Sequence, residues 1–143
     1  MANRIHLKGA FRHEEAVSGI AGIYPGMLVK LDSDGKVVLH TTSGGALGDE
    51  VLVAAEDALH GKTVSTVYTL GAIVSLIIPQ RGCELNLLIA VDEEIAVADK
   101  IMSGGDGTFV KNSGGTVVIG VATEANDLSD SGDANTLSAV RIS

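Results

Sequence analysis

Aromatic side chains are almost missing: two Tyr, two Phe and no Trp among 143 residues. Carbohydrate modules and single-strand nucleic-acid platforms stack their ligands on flat rings, so this composition leaves little for either role. Cysteine is equally scarce. A lone Cys83 excludes an internal disulfide framework and a cysteine-only zinc site. Basic charge is short as well, with ten Lys/Arg against eighteen Asp/Glu and a net charge of −8. Nucleic-acid binders draw affinity from cations that neutralise phosphates, so no nucleic-acid partner is expected. Long apolar runs are absent too. The two most apolar segments, 70–78 and 85–91, are separated by Pro79-Gln80-Arg81-Gly82, and each falls far below the ~20 residues of a membrane helix. No apolar stretch follows the charged segment 4–8, so neither a secretion signal nor a membrane partner is expected.

What the chain does contain is glycine, eighteen residues of it, within a composition that is 45 % hydrophobic. The length suits one compact domain with a real core. Glycine falls in clusters, Gly44-Gly45, Gly104-Gly105, Gly107 and Gly114-Gly115, between runs rich in Val, Ile, Leu and Thr. Short pleated segments punctuated by glycine turns predict an all-β fold, a small β-barrel or tulip-like architecture with short hairpins and little helix.

Charge is unevenly placed along the chain. Residues 1–13 carry Arg4, Lys8 and Arg12 and no acid, whereas the remainder holds all eighteen acids. Residues 1–19 show no sustained period, which predicts an extended basic N-terminal arm ahead of a single β-rich domain over 20–143. An ordinary frayed terminus is the alternative.

The body opens with a turn at Tyr24-Pro25-Gly26. Met27–Leu31 reads as a strand, Asp32-Ser33-Asp34-Gly35 as a hairpin turn and Lys36–His40 as the return strand. Val51–Ala55 fits a strand but also helical spacing through Ala58 and Leu59. A second copy of the pattern decides between them. DSDGKVV at 32–38 aligns with GGDGTFV at 104–110, SGG at 43–45 with 113–115, and VLVAAEDA at 51–58 with VIGVATEA at 118–125. Gly120 and Thr123 disfavour a helix, so both copies are read as strand–DG–strand–SGG–strand, a duplication over 24–58 and 97–125. Chance similarity in a glycine-rich β protein is the alternative. Residues 63–78 form the longest β-branched run, bent at Gly71. Pro79–Gly82 turns the chain and Glu84–Ala90 returns it, Asp92–Glu94 is an acidic turn, and Thr136–Ile142 is a closing strand that seals a sheet edge.

Chemistry is sparse in the residues. His6, His13, His40 and His60 are scattered without metal-ligand spacing and read as surface histidines; Cys83 reads as a turn or core thiol. No nucleophile elbow, metalloprotease helix or phosphate loop is present, and Gly104-Gly105-Asp106-Gly107 leads into a strand rather than a helix. Asp127, Ser129, Ser131, Gly132 and Asp133 mimic the opening of a calcium loop, but Ser138 stands where the bidentate glutamate is needed. No catalytic, cofactor-binding or metal residue is assigned, no cofactor is expected, and the chain is not read as an enzyme.

The succession YPGMLVKLDSDGKVV, VLVAAEDA, EEIAVADKIM, GGDGTFV, VIGVATEAND and LSAVRI, spanning roughly 24–142, resembles the capsid decoration (cement) proteins of tailed bacteriophages. That resemblance implies a structural virion protein on the capsid exterior, made in the host cytoplasm. It also implies that the chain binds the major capsid protein as a homo-oligomer, with a trimer favoured, and stabilises the shell. An extended N-terminal segment often makes the shell contact in such proteins, which points to Arg4, His6, Lys8 and Arg12 as contact residues. A phage tail or baseplate adaptor, a small calcium- or ligand-binding β module, and an accessory subunit of an enzyme are the alternatives.

Overall fold

The computed structural model describes residues 4–41, 51–114, 118–130 and 134–143. The first half contains β1 (His6–Lys8), β2 (Phe11–Val17), β3 (Leu28–Leu31), β4 (Val37–Leu39), β5 (Leu52–Ala54), a 3₁₀ turn at Ala58–His60 and β6 (Ile73–Pro79). The second contains β7 (Glu84–Ile89), β8 (Glu94–Ile95), β9 (Lys100–Ser103), β10 (Phe109–Lys111), β11 (Gly120–Ala122), β12 (Asn126–Asp127) and β13 (Thr136–Ile142). The fold is all-β with little helix, as the glycine-punctuated pattern predicts.

Five strands close a barrel in the order β7-β10-β9-β11-β13, with β13 returning to β7. The closing strand expected at 136–142 therefore does seal an edge. Its register runs from Thr136 opposite Ile89 to Arg141 opposite Glu84. A second sheet, β2-β6-β5-β3-β4, has the same succession of antiparallel neighbours. Its ends meet at one parallel bridge, Ser18 to Val37, as the barrel's meet at the parallel pair Ile89 and Phe109. The hairpins correspond residue for residue: Leu31 faces Val37 and Ser103 faces Phe109 across loops of equal length. In the third strand, Leu52 faces Val29 and Gly120 faces Ile101, so the spatial equivalent of Leu52 is Gly120, one residue beyond its sequence match Ile119.

Two cores follow from these sheets, and they share strands. Val29, Leu52, Ala54, Val74 and Leu76 point into the first unit. Leu28, Val53, Ala55 and Ile77 point the other way, into the cluster formed with Leu85, Leu87, Ile89, Ile101, Phe109 and Val140. Strands β3, β5 and β6 are thus covered on both faces, like strands of a layered fold, and lose the polar/apolar alternation of a half-exposed sheet. That is why Val51–Ala55 gives no clear period.

The N-terminal segment is extended but docked, not irregular. β2 lies antiparallel along β6 from Phe11 opposite Pro79 to Val17 opposite Ile73, and β1 lies along β7 with His6 opposite Leu85. β6 and β7 are consecutive yet belong to different sheets, so the turn at 79–82 carries the chain between units instead of returning it along β6. The two crossings touch at Gly9: a Cβ there would lie 2.9 Å from the Cys83 Cα, and φ is +86°, so a side chain is doubly excluded. The β-branched run 63–78 becomes a strand only from Ile73, because residues 69–72 form a turn whose Gly71 N–H donates to the Ser18 carbonyl.

Candidate functional site

The residues expected to make contacts divide between surfaces. Arg4 is exposed just before β1, and its carbonyl accepts a hydrogen bond from Asn86 Nδ2 at 2.8 Å. The next residue, Ile5, is fully buried; its N–H donates to Glu56 and its carbonyl accepts from the Asn86 N–H. His6 is half-buried, donates from Nε2 to the Gly9 carbonyl at 2.7 Å and packs on the Phe11 ring with centroids 4.2 Å apart. Lys8 pairs with Glu84 at 3.7 Å, and Arg141 pairs with the same carboxylate at 3.3 Å. Arg12 belongs to the other unit, on β2 opposite Ile78, with Glu14 two residues along the same face. The three cations that are neighbours in sequence therefore form no single basic patch. Strand alternation and the crossing between units separate them.

Arg4 and His6 do share one surface, a groove of about 1310 Å³ between the units. Its floor is the outer face of β7 and β13, including Asn86, Leu88 and Leu137, and its far wall is the segment around the 3₁₀ turn, with Glu56 and Lys62. Tyr24 at 43 % exposure is the one Phe, Tyr or Trp along it among the described residues. A wide trough with both charge signs and a single such aromatic suits contact with a protein surface better than enclosure of a small molecule.

The aspartates flagged by sequence act as turn acceptors. Asp32 Oδ1 accepts from the N–H groups of Asp34 and Lys36, both at 2.9 Å, and Asp106 Oδ1 accepts from Thr108 N–H. Asp127 accepts from the Ser129 hydroxyl and N–H, which together hold its carboxyl below the usual carboxylate range. Residues 131–133 of that candidate calcium loop, including Asp133, lie outside the described residues. Among the described residues no cluster of three or more His, Cys, Asp or Glu could hold a metal ion.

Two buried groups complete the picture. His40, expected at the surface, is fully buried, with Nδ1 3.1 Å from Ser103 Oγ. It directly follows β4 and its N–H donates to the Leu28 carbonyl, so the end of that strand delivers the ring against β9 of the other unit. No local pattern marks that position. Cys83 is a core thiol, and burial pushes its pKa up, which disfavours the reactive thiolate.

No family model and no curated protein matches the sequence. Among solved structures, the fold is similar to the N base of the head fiber gp8.5 of bacteriophage phi29, with a TM-score of 0.59 and 14 % sequence identity. The similarity covers 94 % of this chain and 95 % of that one, so it takes in both units and their connection. At this identity it shows a shared fold.

Proposed function

We propose that the chain is a non-enzymatic structural protein of a phage head, held on the outside of the capsid, where it contacts the major capsid protein and stabilises the shell. The observation that carries this reading is the end-to-end match of the two-unit fold to a phage head fiber base. The decoration-protein motifs over 24–142 point the same way. The matching strand order in both sheets supports descent of the two units from one duplicated module. In this proposal the chain acts as a homo-oligomer, and a trimer is the order implied by the resemblance. Linked copies share one association cost, and effective concentration raises apparent affinity by about 10²–10⁴. An oligomer can thereby bridge neighbouring shell subunits through contacts that are weak one at a time.

Arg4 and His6 are the proposed shell contacts, because they face one groove; Lys8, already shared with Glu84, is a weaker candidate. Truncating residues 1–13 is a poor test, since it would remove β1 and part of β2 and strip a strand from each unit. Co-sedimentation with expanded empty shells is the better one. Wild type should pellet with shells, and Arg4→Glu should pellet less while keeping its melting temperature. Wild-type protein that stays in the supernatant overturns the head assignment, and binding to purified tails instead would move the chain to an adaptor role.

A further inference from the structure

We propose that the free edge of β2 pairs antiparallel with the same edge of a second copy of this chain, across a two-fold axis centred on His13. Among the described residues β2 is the terminal strand of its sheet, and only Ser18, beyond its end, reaches β4. Residues 11–15 are all exposed. The direction of their backbone groups can be read from the flanking bonds. Ser18 N–H donates to the Ala72 carbonyl on the β6 side, and Gly19 N–H donates to the Val37 carbonyl on the opposite side, each at 2.8 Å. Backbone groups alternate along a strand. Residues 12, 14 and 16 therefore bond to β6, while 11, 13 and 15 present N–H and C=O outward. The neighbouring strand agrees: Ser75, opposite Glu15, gives its carbonyl to Ala55 N–H on the far side.

An edge of this kind is a template for an added strand, and the side chains specify which strand. Charges commonly protect an edge, but those of β2 are complementary to a copy of themselves. A two-fold axis perpendicular to the sheet sets each residue against one of equal parity. Centred on Arg12, it opposes arginine to arginine; centred on Glu14, it opposes glutamate to glutamate. Centred on His13, it sets Arg12 against Glu14 of the second copy, twice. In that register residues 11, 13 and 15 meet 15, 13 and 11 with about six backbone hydrogen bonds. The two Arg–Glu pairs then fall on the non-hydrogen-bonded positions, where opposed side chains lie closest. The sheets of the two copies become one, and Arg12 serves assembly instead of the shell.

The test is sedimentation of the full chain over a range of concentrations. Wild type should reach twice the mass of Arg12→Glu, whose self-association should be about ten-fold weaker or more, with Glu14→Arg behaving alike. The double variant Arg12→Glu/Glu14→Arg should restore wild-type association, because the swap recreates both pairs. His13→Pro removes an outward N–H without removing a backbone bond to β6 and gives up only the ring contact of His13 Nε2 with Ser75 Oγ, so it should keep its circular dichroism spectrum and lose the doubling. Equal mass for wild type and Arg12→Glu at every concentration overturns the proposal, as does a double variant that fails to recover. Binding to heads is read separately, by the co-sedimentation of wild type.

Discussion

Replacing Ile5 by alanine should destabilise the protein by about 3 kcal/mol. The side chain is fully buried in the cluster that includes Leu85, Leu87 and Phe109, and Ile→Ala at such positions costs about 2–5 kcal/mol through lost transfer energy and the cavity left behind. Ile5 immediately precedes β1, where the chain can relax part of the way inward, which favours the lower half of that range. The backbone bonds to Glu56 and Asn86 survive the substitution, so the loss is one of packing. About 3 kcal/mol corresponds to a shift of roughly 150-fold in the folding equilibrium and about 6–12 °C in Tm for a chain of this size. Urea unfolding followed by circular dichroism measures it, with the half-buried Leu7→Ala as a control expected to cost about 1 kcal/mol. A change below about 0.5 kcal/mol for Ile5→Ala would mean that the N-terminal segment is a free arm, and the docking of β1 would be refuted.

Gly120→Ala should cost about 1–3 kcal/mol, because its Cβ would collide with the Arg141 carbonyl oxygen in the β11–β13 ladder, backbone that cannot rotate aside; thermal melting reads the loss. The Ala96 N–H and the Lys111 ammonium, 3.1 Å away, hold the Asp99 carboxyl below its ordinary range. Its folded pKa is depressed, so its contribution is present above about pH 4 and is lost as pH falls through the folded value. Asp99→Asn should therefore flatten the acid limb of a Tm-against-pH curve, and an unchanged limb would contradict the assignment. Cys83 is buried with a raised pKa, so iodoacetamide at pH 8 should modify it only in urea; rapid labelling of the native protein would count against a core thiol.

Local chemistry made much of this fold legible. The Asp34-Gly35 and Asp106-Gly107 turns sit in hairpins because glycine supplies the positive φ, +74° and +87°, that each loop requires. Thr136–Ile142 alternates as a strand half-covered by a core should, with Ser138, Val140 and Ile142 buried between more exposed neighbours. Other segments hid for physical reasons. Phe11–Val17 carries two Glu, a His and an Arg in strand conformation because nearly all of it faces solvent, so no apolar period is written into it. Val51–Ala55 hid for the reverse reason, being covered on both faces. His40 and Ser103 are 63 residues apart and meet only once both hairpins are folded, so no window of sequence contains their contact. The candidate site was legible in part. Arg4 and His6 do share a groove, but its other side is built by Glu56, Lys62 and Tyr24, which nothing in the N-terminal segment announces.

Electron cryomicroscopy of expanded empty phage shells incubated with the purified protein would test the central claim most directly. The predicted result is added density on the outer surface, into which the two-unit fold fits with the groove bearing Arg4 and His6 against the capsid protein. Shells that remain bare at saturating protein would contradict the account.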